Sequence, residues 1–344
     1  MVSTKLYITG GVGARHQGEA FGDNYELPNL TAYNETCAAI ANVYFNYRMF
    51  LLHGDSKYID VLERSLYNGV ISGVGLDGKT FFYPNPLECD LKFKFNSGET
   101  LDRQPWFGCS CCPTNMCRFL PSVPGYIYAQ GKNNIYVNLF VESSSKIQLN
   151  KQLSVTIKQA TRYPWDGNIK ISVSPEKAGK FALCLRIPGW AKNQSVPGNL
   201  YSFKTPETKS VLMTVNGKAT QYKVEKGYAV IEREWKQGDV VNYSLPMDIR
   251  RVEANKKVSD DLGKVAIERG PIVYCLEGAD NPAIDKITIS ANTQLTSSFN
   301  AKLLEGIQII SGSNQLPSEK FTAIPYFVWN NRGANKMKVW IPEK

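Results

Sequence analysis

The stretch GYIYAQGKNNIYVNLF, residues 125–140, divides the chain into two parts of different character. Before it, apolar residues recur at steps of three and four, the spacing that places them on one face of an α-helix. From it onward, short segments rich in β-branched and aromatic residues alternate with turn residues, a pattern typical of β-strands. The sequence therefore predicts an α + β chain with a helical part over residues 1–127 and a β-rich part over residues 128–344.

The helical part contains two amphipathic segments and a shorter third one. The first runs from about residue 35 to residue 52, and the second begins after Asp55 or Ser56, either of which is a good N-cap. Pro113 suits the first turn of a third helix, which Pro121 would end or kink. Because each amphipathic helix needs a partner for its apolar face, these helices are too few to close a helical domain alone.

The β-rich part contains at least nine candidate strands separated by turn signals such as Asn216-Gly217. Strands at this spacing indicate an antiparallel β-sandwich of at least eight strands. Examples of these candidates are residues 135–140, 169–173, 181–187, 211–215, 228–231, 240–245, 265–267, 272–276 and 337–341.

Composition excludes several classes of protein. The chain has 344 residues, of which 43% are hydrophobic and 21% charged, as expected for a globular protein with a core. No apolar run approaches the ~20 residues of a membrane helix, so we expect no membrane partner. The net charge of +9 arises in the β-rich part, where the lysines are spread over many strands without a nucleic-acid-binding motif. We therefore expect no nucleic-acid partner.

Eight cysteines are too few for a disulfide scaffold, but four of them lie within nine residues, Cys109-Ser-Cys-Cys-Pro-Thr-Asn-Met-Cys117. Glu35-Thr-Cys37 adds a carboxylate and a thiol at the start of a predicted helix. Three thiolates and one carboxylate would make a tetrahedral zinc site, although no paired CxxC spacing is present. The alternative is that cysteine serves as a small buried apolar residue, which we expect for Cys184 and Cys275.

Four carboxylates are candidates for acid/base work, and the pattern does not choose among them: Glu19, Asp23, Glu26 and Glu35. A helix cap or a solvated surface position is the simpler role for each. With only two histidines, a histidine-dominated metal site is excluded.

Two further residues are candidates for substrate binding. His16 lies in a glycine-rich loop, where it either faces a ligand or is an ordinary surface residue. Trp106, just before the cysteine cluster, could stack on a sugar ring. Gly10-Gly11-Val-Gly13 does not have the spacing or the strand–helix context of a nucleotide-binding loop.

Seven motifs occur in an order that resembles glycoside hydrolase family 127, the β-L-arabinofuranosidases, and its close relative family 146. Tyr163-Pro-Trp-Asp-Gly167 and Glu268-Arg-Gly-Pro-Ile-Val-Tyr274 in the β-rich part are also similar to that family. The seven motifs are Ile8-Thr-Gly-Gly-Val-Gly13, Gly18-Glu-Ala-Phe21, Tyr25-Glu-Leu-Pro-Asn29, Glu35-Thr-Cys37, Arg64-Ser-Leu-Tyr-Asn-Gly69, Tyr83-Pro-Asn-Pro-Leu87 and Trp106-Phe-Gly-Cys-Ser-Cys-Cys-Pro113.

The resemblance implies a retaining glycosidase with a zinc-bound cysteine nucleophile. By motif position, Glu35, Cys37, Cys111 and Cys112 match the Zn²⁺ ligands of the family, and Cys111 also matches the nucleophile. Glu19 in Gly18-Glu-Ala-Phe21 matches the general acid/base. The implied fold is the C-terminal part of an (α/α)6 barrel, over residues 1–127, followed by an antiparallel β-sandwich over residues 128–344.

The family has a longer barrel than this chain contains. We therefore expect a truncated chain, inactive alone, whose partners are the missing N-terminal barrel half and an arabinose-containing plant glycan. The alternative is a non-catalytic carbohydrate-binding β-sandwich with a structural zinc site nearby. We expect a periplasmic or secreted protein if a signal peptide lies upstream, and a cytoplasmic one otherwise.

Overall fold

The computed structural model describes residues 1–313 and 320–344 and consists mostly of β-strands with few helices. Among these residues, no helix has both the length and the apolar character that crossing a membrane requires. The α-helices of the described residues are α1 (Thr36–His53), α2 (Ser56–Arg64), α3 (Cys111–Phe119) and α4 (Pro124–Ile127), and a π-helical segment, Ser65–Val70, continues α2.

Among the described residues, β1 precedes α3, and the other strands follow α4. They are β1 (Glu88–Cys89), β2 (Tyr128–Gln130), β3 (Asn134–Val137), β4 (Ser143–Asn150), β5 (Leu153–Thr161), β6 (Asn168–Pro175), β7 (Gly179–Arg186), β8 (Tyr201–Phe203), β9 (Leu212–Val215), β10 (Lys218–Ala219), β11 (Lys223–Glu225), β12 (Tyr228–Trp235), β13 (Asp239–Ser244), β14 (Ile249–Ala254), β15 (Lys264–Arg269), β16 (Ile272–Glu277), β17 (Gln294–Asn300), β18 (Ile307–Ser313), β19 (Phe321–Pro325), β20 (Met337–Lys338) and β21 (Ile341–Pro342).

The helices begin and end where their terminal residues predict. Asp55 caps α2 by accepting a hydrogen bond of 3.0 Å from the backbone N–H of Lys57. Gly54, in the left-handed conformation at φ 63°, ends α1, because glycine adopts this conformation without steric cost. Pro113 lies in the first turn of α3, and the chain changes to a 3₁₀ turn at Leu120–Ser122, which contains Pro121.

Two of the sheets share one core. The five-stranded sheet has the order β11-β12-β7-β3-β2, and the six-stranded sheet has the order β10-β9-β13-β6-β5-β4. Leu183 of β7, Trp235 of β12 and Ile171 of β6 are fully buried in this core. Strands β3 and β7 pair in parallel, whereas the other strand pairs of the described residues are antiparallel.

A ten-stranded sheet forms the rest of the β-rich part, with β17-β18-β19-β16-β15-β14-β8 in order and β1, β20 and β21 attached to it. One face of it packs against the first loop, where Tyr7 and Ile8 share a core with Val273 and Trp329. The described residues of the β-rich part thus form three sheets. Alternation of apolar residues identifies strands but does not say which sheet they join, because sheet membership depends on long-range pairing.

Two buried arginines hold α2 against the β-rich part. Arg64 pairs with Glu268 of β15 at 2.6 Å and also donates to the Ile8 carbonyl oxygen at 2.7 Å. Arg186 of β7 pairs with Asp60 at 2.7 Å and with Glu63. The helical segment is therefore fixed relative to both the five-stranded and the ten-stranded sheet.

Candidate metal centre and adjoining cavity

The N-terminal ends of α1 and α3, which carry the candidate metal ligands, lie close together. Glu35 immediately precedes α1 and Cys37 lies in its first turn, while Cys111 and Cys112 are the first two residues of α3. One ligand atom from each of these four residues lies within 4.8 Å of the other three. Residues 76 positions apart in the sequence, Glu35 and Cys111, thus form one cluster.

The spacing of the cluster fits a tetrahedral metal ion. The Sγ atoms of Cys111 and Cys112 lie 3.7 Å apart, and each lies 3.4 Å from Glu35 Oε1. Ligands about 2.3 Å from a common tetrahedral centre are separated by about 3.8 Å. All eight cysteines are free, so the thiols of the cluster are available as ligands.

The protein environment alone does not favour three thiolates. Burial raises the pKa of Cys111 to about 12. The pKa of Cys112 is also raised, first by its hydrogen bond with Cys37 and then by burial, while the same hydrogen bond lowers the pKa of Cys37. Cys37 is therefore the first of the three to lose its proton, and the other two need a nearby cation to ionise at neutral pH.

A tyrosine hydroxyl lies between the cluster and Glu19. Tyr83 Oη is 2.9 Å from Cys111 Sγ, 3.5 Å from Glu19 Oε1 and 3.9 Å from Cys109 Sγ. The Tyr33 hydroxyl donates a 2.8 Å hydrogen bond to the same Glu19 oxygen. Burial raises the pKa of both tyrosines, so both hydroxyls keep their protons.

Glu19 is carried on a tight turn. Residues Gln17–Glu19 form one 3₁₀ turn, and Gly18 and Glu19 both have positive φ, at 68° and 50°. The turn is closed at its base by two hydrogen bonds of 3.1 Å between the backbones of Arg15 and Ala20. Glycine suits position 18 because it adopts this conformation freely.

Glu19 opens into a cavity of about 890 Å³, which is within the usual size of a small-molecule site. His16 lines it, with its ring 4.8 Å from that of Tyr33, and burial lowers the pKa of His16. The other lining residues include Arg15, Gln17, Glu26, Tyr83, Phe93, Lys94, Asn96, Glu99 and Cys109.

The remaining candidates lie outside the cluster. Trp106 is 59% exposed and is not among the residues that line the cavity. Asp23 and Glu26 pair with Arg15. Cys184 is buried in β7, a position that suits a small apolar residue.

The sequence did not predict that the Tyr33 and Tyr83 hydroxyls contact Glu19. Tyr83 starts the motif Tyr83-Pro-Asn-Pro-Leu87, and only membership of this motif indicates a functional position for Tyr83 in the sequence. Tyr33 stands two residues before Glu35 in a loop without periodicity, so the sequence offers no comparable signal for its hydrogen bond to Glu19.

Three sequence models of one family match consecutive parts of the chain. The β-L-arabinofuranosidase GH127 catalytic domain matches residues 1–125, and the β-L-arabinofuranosidase GH127 middle domain matches residues 134–247. The glycoside hydrolase family 127 C-terminal domain matches residues 249–342. Together these matches cover nearly the whole chain.

Known relatives agree with these matches. A non-reducing end β-L-arabinofuranosidase of Bifidobacterium longum is 32% identical over 99% of this chain and 54% of the relative. A solved GH127 β-arabinofuranosidase is 46% identical, with a TM-score of 0.92 over 100% of this chain and 54% of that one. A GH127 β-L-arabinofuranosidase from Geobacillus stearothermophilus is 42% identical, with a TM-score of 0.88 over 99% of this chain and 55% of that one. The chain spans about half the length of these relatives, and it belongs to glycoside hydrolase family 127.

Proposed function

We propose that this chain supplies the catalytic centre of a retaining β-L-arabinofuranosidase, with Cys111 as nucleophile and Glu19 as general acid/base. The observation that carries the proposal is the Tyr83 hydroxyl, which lies within 3.5 Å of both Cys111 Sγ and Glu19 Oε1. These two contacts set an upper limit of about 6.4 Å on the distance between thiol and carboxylate. Retaining glycosidases hold their two catalytic groups ~5–5.5 Å apart, so the limit is compatible with that chemistry.

The ligands of the proposed metal are Glu35, Cys37, Cys111 and Cys112. Three sulfurs and one carboxylate oxygen favour Zn²⁺ over the harder cations Mg²⁺ and Ca²⁺. A Zn²⁺ ion bound by these residues would hold the thiols as thiolates at neutral pH. The raised pKa of Cys111, about 12, supports a requirement for such an ion.

The reaction follows the two-step retaining scheme. The Cys111 thiolate attacks the anomeric carbon, and a carbon–sulfur bond forms as the carbon–oxygen bond to the leaving group breaks. Glu19 gives its proton to the departing oxygen. In the second step Glu19 takes a proton from water, the water oxygen attacks the same carbon, and the carbon–sulfur bond breaks to restore the thiolate.

The substrate is proposed to be an arabinose-containing plant glycan. The relatives named for β-L-arabinofuranosidase activity support the sugar. The cavity beside Glu19 supports a site for it, with His16 on the wall. Trp106 is exposed enough to contact the distal part of a longer glycan, and we keep it as a binding residue on that ground.

We further propose that residues 1–127 are part of an (α/α)6 barrel that is completed by another helical half, and that residues 128–344 form the β-sandwich part. Helix α1 supports the need for a companion, because Ala41, Phe45, Arg48 and Leu52 form one exposed stripe along it. Phe45 is 56% and Leu52 is 73% exposed, unusual values for large apolar side chains on a helix that is buried on its other face.

The proposal is tested by trapping the covalent intermediate. The zinc-loaded chain is used alone and joined to the part of the Bifidobacterium relative that this chain does not match, which gives the extended protein. Each is incubated with an aryl β-L-arabinofuranoside that has a good leaving group. In Glu19→Gln we expect one pentosyl group on Cys111, detected by peptide mass spectrometry, because the second step lacks its base. Cys111→Ser should abolish both the adduct and hydrolysis.

Cys117→Ser is the matched control, because Cys117 is an exposed cysteine on the same helix, and it should behave as the wild type. Hydrolysis that survives Cys111→Ser in the extended protein would refute the nucleophile. Binding of both zinc and an arabinose-containing glycan without hydrolysis in the extended protein would instead support the non-catalytic, carbohydrate-binding alternative. Hydrolysis by the unextended chain would show that a companion half is not required.

A further inference from the structure

We propose that Arg15 is a positioning residue for Glu19, acting through an ion pair with Glu26 that fixes the turn on which Glu19 is carried. The inference rests on the proposed acid/base role of Glu19. It concerns a contact that lies next to the catalytic groups and involves none of the metal ligands.

The turn needs support from outside. It is closed at its base, where the Arg15 N–H donates to the Ala20 carbonyl and the Ala20 N–H donates to the Arg15 carbonyl, and inside it the Glu19 N–H donates to the His16 carbonyl at 3.2 Å. Glu19 has a φ of 50°, in the left-handed region that residues other than glycine avoid. Such a backbone conformation persists only when surrounding contacts hold it in place.

Arg15 supplies such a contact from the base of the turn. Its Nε donates to Glu26 Oε1 at 2.8 Å, and its Nη2 donates to Glu26 Oε2 at 2.5 Å. The same Nη2 donates to Asp23 Oδ2 at 3.0 Å. Two parallel hydrogen bonds to one carboxylate fix the orientation of a guanidinium, which a single contact does not.

The loop of residues 22–26, to which Arg15 binds, packs closely around the Glu26 carboxylate. The Asp23 N–H donates to Glu26 Oε2 at 2.7 Å. Gly22 passes so close that a Cβ at this position would lie 2.6 Å from the Glu26 carboxyl carbon. Lys5 Nζ donates to the Gly22 carbonyl oxygen at 2.5 Å. Glu26 therefore has a defined place, and Arg15 is anchored to it.

The effect of this pair is local. The Arg15 and Glu26 side chains are 43% and 32% exposed, and an ion pair this exposed adds little to global stability. The Glu19 carboxylate accepts hydrogen bonds from the Tyr33 hydroxyl at 2.8 Å and from the Tyr83 hydroxyl at 3.5 Å, whereas the proposed action of Arg15 is on the backbone of the turn. Both Arg15 and Glu26 also line the cavity into which Glu19 points.

The first test measures the turn in the purified 344-residue chain and does not need activity. Hydrogen exchange of the Arg15 and Ala20 amides is compared in wild type, Arg15→Lys and Arg15→Ala. We expect at least tenfold faster exchange at both amides in Arg15→Ala, an intermediate rate in Arg15→Lys, and unchanged exchange in β5 and β12. Lys209→Ala is the control, because it removes another exposed ion pair, with Asp248, in the β-rich part. Unchanged exchange in Arg15→Ala would overturn the proposal.

The second test separates positioning from a general structural role by varying the leaving group. In the extended protein, Arg15→Ala should slow hydrolysis of a disaccharide substrate, whose leaving group needs a proton, by tenfold or more. Cleavage of a dinitrophenyl glycoside, whose leaving group departs without one, should change less than twofold in the burst that glycosylates Cys111. Equal losses on both substrates would contradict a positioning role. A wild type that cleaves neither would refute the proposed function, and the exchange measurement would still decide the role of Arg15 in the turn.

Discussion

Cys111 is the residue whose ionisation controls the proposed chemistry. Burial raises its pKa to about 12, so without a bound cation the thiol keeps its proton at neutral pH. The thiolate is the form that reacts with electrophiles and binds metals. The reactivity of Cys111 therefore depends on a cation bound beside its sulfur.

This dependence gives a prediction for alkylation. In the chelator-treated chain at pH 8, iodoacetamide should modify Cys111 far more slowly than the exposed Cys109 and Cys117. The rate at Cys111 should rise about tenfold per pH unit up to about pH 11, because it follows the thiolate fraction. Peptide mass spectrometry measures the rates. A rate at Cys111 that levels off above about pH 9, as at a thiol of ordinary pKa, would contradict the raised pKa.

Asp261 gives a second prediction at the same scale. Burial raises its pKa to about 7, while its Oδ1 accepts a hydrogen bond of 2.8 Å from Asn29 Nδ2. Since the folded state favours the protonated form, the stability contributed by this group is present below about pH 4 and is lost as pH rises through 7. Asp261→Asn keeps the acceptor and cannot ionise.

Asp261→Asn should therefore gain stability relative to wild type as the pH rises from 4 to 8. At about 1.4 kcal/mol per pKa unit, the gain is at most about 4 kcal/mol. Urea unfolding of both proteins at pH 4, 6 and 8 measures it. A difference in unfolding free energy that is the same at all three pH values would show that Asp261 ionises normally.

At the scale of elements, α2 depends on buried charge pairs. Arg64 and Glu268 are 4% and 1% exposed, so removing one partner leaves the other charge buried without an opposite charge beside it. We expect Arg64→Met to lower the free energy of unfolding by about 3–5 kcal/mol. The double variant Arg64→Met, Glu268→Leu should lose clearly less than the single one, as measured by urea unfolding. A double variant that loses the sum of the two single changes would show that the pair is not coupled.

The elements that the sequence predicted are those with strong local signals. Helix α1 was predicted by its apolar period and by Gly54, and the start of α2 by Asp55. Strand β4 gives a weak sequence signal, because most of its residues are polar and at least partly exposed and its alternation carries little apolar contrast. The parallel pairing of β3 with β7 could not be predicted, because local patterns do not encode long-range partners.

The candidate site was predictable to a similar degree. Motif resemblance named the residues that the structure brings together in the cluster, Glu35, Cys37, Cys111 and Cys112. It did not identify the hydrogen bond from Tyr33 to Glu19 or the ion pair from Arg15 to Glu26. Both contacts depend on the path of the first loop, which lacks any secondary-structure period.

At the scale of the whole molecule, a metal at this cluster would join the starts of α1 and α3 and so couple ligand binding to folding. We predict that zinc raises the thermal midpoint of the chain. With free zinc at 1,000 times its dissociation constant, the stabilisation is about 4 kcal/mol. Cys112→Ala should abolish the shift, whereas Cys117→Ala should keep it, and scanning calorimetry measures both. A shift that survives Cys112→Ala would locate the metal elsewhere.

The most direct test of the central claim is X-ray absorption spectroscopy at the zinc edge of the chain loaded with one equivalent of zinc. We predict four-coordinate zinc with three sulfur ligands at about 2.3 Å and one oxygen ligand at about 2.0 Å. Cys111→Ser should show two sulfur ligands, because the proposed nucleophile is itself a ligand. A spectrum with fewer than three sulfur ligands in the wild type, or one that Cys111→Ser leaves unchanged, would contradict a zinc-bound Cys111.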